Sequence, residues 1–349
     1  MRILVTGGAG YIGSITTRTL LDAGHQCVVL DTLEKGYAAA VDPRAALVVG
    51  DVGDRRALDG VLPGVDAVMH LAGYIDVAES VREPDLYMHN NATKPADMLS
   101  AMVEHGVLSI VFSSTAAVYG EPAAVPVPED APTLPVNPYG ASKLAFEGYL
   151  EEYAADHGMS SVRLRYFNVA GAWPDGSLGE AHVPETHIIP RVLGSMAAGE
   201  GRFEVFGDDY DTPDGTCVRD YIHVCDLALA HRLALEMLGS GVWREPPGFD
   251  PELAADPDGV DAHLTDVFNL GNGVGYSNLE VVRACAEVTG RDVEIAMGPR
   301  RAGDPARLVA SAERARAGLG WAPERGDLRT MVEDAWRWHV SHRQGYAGE

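Results

Sequence analysis

The chain predicts an α/β fold, a doubly wound parallel sheet followed by a smaller α/β lobe toward the C-terminus. Three observations carry that expectation. Short apolar runs alternate with helical patterns through the first half, the order in which strands and crossover helices build a parallel sheet. The runs are apolar on both faces, as strands covered by helices on each side must be. From residue 171 the chain turns rich in Gly, Pro, Asp and His, and its elements shorten.

Residues 2–6 (RILVT) read as the first strand and residues 13–23 as the helix behind it. Residues 26–30 (QCVVL) and 46–49 (ALVV) give the next two strands, with a helix over 54–62. The run at 67–70 (AVMH) is a fourth strand, and a long helix is expected over 85–104. Residues 109–113 (SIVFS) form a fifth strand, 139–157 a helix and 161–166 (SVRLRY) a sixth strand. Further on, DVFNLGNG (266–273) reads as a strand returning to the sheet. The expected division is therefore residues 1–170 and 171–349, with segments near 215–235 and 266–275 rejoining the first part. Residues 239–261, acidic and proline-rich, are expected as an exposed insertion.

Composition narrows the function. With 349 residues the chain can bury a full core in two lobes. A formal net charge of −24 argues against nucleic acid and anionic membrane surfaces as partners. An anionic small ligand stays compatible, because a few arginines or a helix N-terminus can hold one inside an acidic protein. Cys27, Cys217, Cys225 and Cys285 are scattered, without CxxC or zinc spacing, so a reducing compartment and no metal are expected. The N-terminus lacks a signal-peptide pattern and no apolar stretch approaches the roughly 18 residues of a membrane span. A cytoplasmic protein is expected.

The stretch TGGAGYIG (6–13) places Gly7, Gly10 and Gly13 as GxxGxxG between the first strand and the first helix. Glycine is needed where the backbone turns sharply and where it approaches a pyrophosphate, which the free N–H groups of the helix start then face. This is the dinucleotide-binding arrangement of a Rossmann-type sheet. Asp31, ending the second strand, suits a ribose diol and repels a 2′-phosphate, favouring NAD over NADP. The GDV stretch after the third strand, with Asp51 and Val52, can hold the adenine.

FSSTAAVYG (112–120) ends an apolar strand, where open α/β sheets bind ligands. Hydroxyls at Ser113, Ser114 and Thr115 are thus expected to be placed for chemistry. YGASK (139–143) follows on the next helix, and one helical turn puts Tyr139 and Lys143 on the same side. The chain has only two other lysines, Lys35 and Lys94.

A glycine-rich start, a Ser/Thr late in a later strand and YxxxK beyond it resemble the extended short-chain dehydrogenase/reductase family. The segments SSTAAVYGEP, NPYGASK, LRYFNVAGA, FGDDYDTPDGTCVRDYIHV, FNLGNGVGYSNLEVV and PRRAGDPA narrow the likeness to the UDP-galactose (UDP-glucose) 4-epimerases. The similarity runs from about residue 1 to residue 338.

The resemblance implies inversion at C4 of a UDP-hexose through a transient 4-keto sugar, with NAD bound throughout. Tyr139 would be the base, Lys143 its electrostatic support and Thr115 a proton shuttle to the 4-oxygen. Moving a phenol from a pKa of about 10 to about 7 takes roughly 4 kcal/mol. An ammonium about 5 Å away, at an effective dielectric near 20, supplies on the order of 3 kcal/mol. The resemblance also implies cofactor contacts from Tyr11 and Ile12, from Leu71, Ala72 and Gly73, and from Asn91 and Tyr166. The UDP-sugar would be held by Asn168, His187, Ile188, Phe206, Arg219, Tyr221, Arg301 and Asp304. A homodimer through two long helices is expected on the same ground.

The chain departs from the family in places. HLAGYIDVAES (70–80) lacks the lysine common there, and Thr32, Ile15, Thr186 and His187 replace usual residues. Leu308 stands where residue size limits bulk at C2, and being smaller than an aromatic it leaves room for an N-acetyl group. UDP-glucuronate epimerisation is a further alternative. A dehydratase would need an acidic pair after Thr115, where this chain has Ala116 and Ala117. A catalytically silent sensor would be expected to lose Tyr139 or Lys143.

Overall fold

The computed structural model describes residues 1–240, 264–300 and 304–346. The insertion expected at 239–261 lies almost wholly outside the described residues, as does Arg301.

Strands β1 (Arg2–Thr6), β2 (Gln26–Asp31), β3 (Ala46–Val49), β4 (Ala67–His70), β5 (Ser109–Thr115) and β6 (Ser160–Tyr166) join Thr265–Leu270 in one seven-stranded sheet. From one edge the order is Thr265–Leu270, β6, β5, β4, β1, β2, β3, with every pair parallel. The order of connection reverses between β1 and β4, and the crevice beyond the carboxyl ends of these two strands is the natural ligand position in such a sheet.

Alternation along each strand feeds two cores. Leu4 of β1 packs on one face with Val68, Ile110, Phe112 and Phe146. Its neighbours Ile3 and Val5 pack on the other with Val29, Met69, Leu227 and Ala234. Burying each such aliphatic side chain contributes about 1.5–3 kcal/mol. Helices Arg55–Val61, Lys94–Glu104 and Pro138–His157 cover the first face. Helices Tyr11–Asp22 and Val224–Ser240 cover the second.

Helix Pro138–His157 has clear start and stop signals. Asn137 accepts a hydrogen bond from the Gly140 N–H at 2.8 Å, Pro138 occupies the first turn, and Gly158 ends the helix at φ 66°. The helix expected over 85–104 is instead divided into Pro84–Met88, a π-helical turn His89–Thr93 and Lys94–Glu104, preceded by a short helix Val77–Arg82. Pro84 begins the helix that follows Val77–Arg82, and Pro95, which supplies no N–H, accounts for the interruption within the expected stretch.

Beyond the sheet, Val218–His223 pairs with Asn168–Ala170, Gly275–Ser277 and Arg307–Leu308. Arg202–Phe206 pairs with Glu294–Gly298. From these small sheets Phe203, Phe206, Arg219, Tyr221 and Leu308 line the crevice. Among the described residues no helix is long and apolar enough to cross a membrane.

Candidate active site

The crevice is a cleft of about 1610 Å³ that runs from the glycine loop, past Thr115, Tyr139 and Lys143, to Arg219 and Asp304. Pockets for one drug-sized ligand occupy about 300–1,000 Å³, so this one is large enough for two.

Its first end is built by the turns after β1, β2 and β4. Gly7 has φ +70°, and a Cβ there would lie 2.6 Å from the Ala72 backbone nitrogen, so the loops after β1 and β4 touch. Asp31 fixes the same region from β2, accepting hydrogen bonds from the N–H groups of Ala9 and Leu33, each at 2.9 Å. Tyr11 lines the wall and donates its hydroxyl to the Gly171 carbonyl at 2.6 Å, tying the first helix to the end of strand Asn168–Ala170. Gly10, Ile12, Gly13, Asp51, Val52, Leu71, Ala72 and Gly73 line this end as well. Asp51 is paired with Lys94 at 2.6 Å. Where the family's lysine is missing, the Tyr74 hydroxyl donates to Glu34 at 2.9 Å, bridging two walls of the cleft.

Asn91 is placed differently from the other expected cofactor residues. It lies in the π-helical turn and is buried, outside the cleft lining. Its side-chain oxygen accepts from the Tyr74 N–H at 2.8 Å and its nitrogen donates to the Tyr74 carbonyl and the Ser142 hydroxyl. It clamps the Gly73–Tyr74 backbone.

At the centre, β5 and helix Pro138–His157 deliver Thr115, Tyr139 and Lys143, with Tyr166 at the end of β6. Of the three hydroxyls expected together, only Thr115 faces the cleft. Strand alternation turns Ser114 to the other face, where it donates to the buried carboxylate of Glu147. Ser113 lies one step deeper and bonds His231 at 2.6 Å. The Thr115 hydroxyl oxygen accepts from the Ala117 N–H at 3.1 Å.

Lys143 is buried and donates to the Ser113 carbonyl at 3.1 Å, with its ammonium 4.9 Å over the Phe112 ring. Burial pushes its pKa down to about 8, opposed by the charge of Glu147. Burial also raises Tyr139 above its ordinary value, and the neighbouring Thr115 side chain opposes that rise.

The far end carries the remaining residues. Asn168, His187, Ile188, Phe206, Arg219, Tyr221 and Asp304 all line the cleft. The Arg219 guanidinium donates to the Pro305 carbonyl at 2.7 Å and pairs with Asp304 at 3.3 Å, so this cation is held in a set orientation. Asn168 donates to the Asp220 carbonyl at 3.1 Å.

Sequence reading missed two features here. Asp220 is buried and accepts from the N–H groups of Asn272, Gly273 and Ala310 at 2.8–3.0 Å, stitching the NLGNG loop to Val218–His223. It also missed a group of Glu180, His182, Glu185 and His187 on the cleft wall. Burial opposes ionisation of Glu180, yet His187 and His182 hold its carboxyl well below the usual carboxylate range. The alternation of Glu and His in GEAHVPETH was the available signal.

Residues 3–243 match the profile of the NAD dependent epimerase/dehydratase family. Over 348 residues, 99% of each chain, the sequence is 47% identical to a UDP-glucose 4-epimerase of Lacticaseibacillus casei. A crystal structure of UDP-glucose 4-epimerase from Bifidobacterium longum in complex with NAD+ and UDP superposes with a TM-score of 0.87, at 36% identity over 99% of this chain and 100% of that one. One from Brucella ovis in complex with NAD gives 0.86 at 40% identity, covering 97% and 98%.

Proposed function

The chain belongs to the NAD dependent epimerase/dehydratase family, and from that premise we propose that it interconverts UDP-glucose and UDP-galactose by inverting C4 through a 4-keto intermediate. The observation that carries this reading is the single cleft in which the glycine loop, Tyr139 with Lys143, and Arg219 follow one another. It has room for a dinucleotide and a nucleotide sugar end to end.

The residues fit NAD. The touching loops at Gly7 and Ala72 leave backbone where a pyrophosphate must come close, and Asp31 stands where a ribose diol is read. NAD, when bound, supplies an acceptor for the C4 hydride that later returns it. The other tasks fall to the protein. Tyr139, as phenolate, takes the proton of the 4-hydroxyl, and Thr115 relays it. Because burial disfavours that anion, positive charge at the site has to offset roughly 4 kcal/mol or more. Lys143 supplies part of it as long as its ammonium stays charged. Arg219, Arg301, Asn168 and His187 hold the UDP, with Ile188, Phe206, Tyr221 and Asp304 enclosing the uridine end. Gripping UDP and leaving the hexose loose lets the keto sugar present its other face. Gly10, Tyr11, Ile12, Gly13, Asp51, Val52, Leu71, Gly73 and Tyr166 complete the cofactor contacts.

Ala116 and Ala117 line the cleft where a dehydratase needs an acidic pair, which speaks for epimerisation. Leu308 lines it too, and this favours one second reading, acceptance of UDP-N-acetylhexoses. A cytoplasmic homodimer, divided at about residue 170, completes the proposal.

The test is to incubate the protein separately with UDP-galactose, UDP-glucose, UDP-N-acetylglucosamine and UDP-glucuronate and resolve products by chromatography. The two hexoses should converge on one equilibrium mixture from either side. No interconversion would overturn the reading.

A further inference from the structure

Segment Glu180–His187 brings two carboxylates and two imidazoles together on the cleft wall. His187 Nδ1 lies 2.6 Å from Glu180 Oε1, and His182 Nδ1 lies 3.1 Å from the same oxygen. Glu185 completes the ring, 3.5 Å from His187 Nδ1 and 3.6 Å from His182 Nδ1. One donor atom from each of the four lies within 4.8 Å of all the others. Metal–ligand distances of about 2.0–2.1 Å give tetrahedral edges of about 3.3 Å. The contacts at 3.1, 3.5 and 3.6 Å lie near that edge, Glu185 meeting the two histidines through different oxygens, while the His187–Glu180 hydrogen bond at 2.6 Å would have to lengthen for a metal to enter.

Two further observations point to a ligand at this place. His182 Nδ1 is buried and has no hydrogen-bond partner among the described residues, although a carboxylate oxygen is close by. Glu180 is itself nearly buried, its side chain only 7% exposed. A buried carboxylate between two imidazole nitrogens calls for positive charge, which protonated histidines or a bound cation can supply. The two carboxylates carry two negative charges, which one divalent ion balances with both imidazoles neutral.

We propose that Glu180, His182, Glu185 and His187 form a four-coordinate site for a divalent transition-metal cation. Two imidazole nitrogens with two carboxylate oxygens suit zinc, or cobalt in its place, and lack the six or more oxygens that calcium and magnesium take. All four ligands come from one segment that leads into helix Ile188–Ala198. Bound metal therefore fixes the stretch of cleft wall from which His187 and Ile188 face the ligand. The inference rests on donor geometry, independently of the reaction assigned to the cleft.

The test uses tag-free, chelator-stripped full chain titrated with zinc and, in parallel, with cobalt(II). Zinc should bind one equivalent per chain and raise the melting midpoint, and cobalt should give the intense visible bands of a tetrahedral ion. His182→Gln and Glu185→Gln, each first checked for a cooperative melt without metal, should weaken zinc binding by at least about 10-fold. Sub-stoichiometric zinc in the wild type would overturn the proposal. So would a weak octahedral cobalt spectrum, or affinity unchanged in both variants.

Discussion

Gly13 and Gly7 lie so close that a Cβ on Gly13 would stand 2.0 Å from the Gly7 carbonyl oxygen. The first helix is thereby pressed onto the loop that ends β1, and the atom that would collide is backbone, which cannot swing aside. Gly13→Ala must push the helix off the loop. The protein should then purify with little or no NAD and lose most of its activity, and cofactor content measured after denaturation checks this. Full NAD occupancy in the variant would mean that the helix start does not shape the pyrophosphate site.

Tyr139→Phe removes one hydroxyl from a buried ring and leaves its packing in place. Loss of a general base lowers turnover by about 10²–10⁴-fold. KM for the UDP-sugar and the NAD content should stay near wild type, and steady-state kinetics with cofactor quantitation separate the two effects. Near-normal turnover would remove Tyr139 from the proposed role.

Beside helix Pro138–His157, Arg165 reaches Glu147 through two nitrogens, with the Nε contact at 3.0 Å, and both side chains are buried. Glu147→Ala would leave a buried, unpaired guanidinium, which costs about 3–5 kcal/mol. Glu147→Leu combined with Arg165→Met should recover much of that loss. Urea unfolding midpoints of the three proteins compare them. A single variant as stable as wild type would show that water or another group already serves Arg165.

Burial, together with the charge of Lys143, lowers the pKa of His70 to about 3. His70 is thus neutral in the folded protein and takes up a proton on unfolding below its ordinary value of about 6.5. The sign follows from proton counts: the unfolded chain binds more protons between these values, so this contribution is complete above about pH 6.5 and is lost as pH falls toward 3. It amounts to a few kcal/mol at most. His70→Gln should flatten the fall of unfolding free energy between pH 6.5 and 4. An unchanged slope would assign the acid sensitivity to other groups.

Much of this was legible in the sequence because local pattern and global fold agree there. Strands 2–6, 46–49 and 67–70 were bounded to the residue, since each is a short apolar run with sharp ends. The division of residues 85–104 was not, because Pro95 and the π-helical turn interrupt a stretch that still has helical periodicity. Glycines and YxxxK are local signals, so they could be placed in advance. The roles of Ser113 and Ser114 could not, because their partners, His231 and Glu147, are distant in sequence. The same holds for Asn91, which reaches back to Tyr74 instead of into the cleft.

The most direct test of the central claim follows the C4 hydrogen. UDP-galactose carrying deuterium at C4 is converted to the equilibrium mixture in ordinary water, and the UDP-glucose formed is analysed by mass spectrometry and NMR. Transient oxidation within the cleft predicts that deuterium stays at C4 of the product, with a primary isotope effect where hydrogen transfer limits the rate. Washout of the label into water would contradict it, since C4 would then have exchanged its hydrogen as a proton.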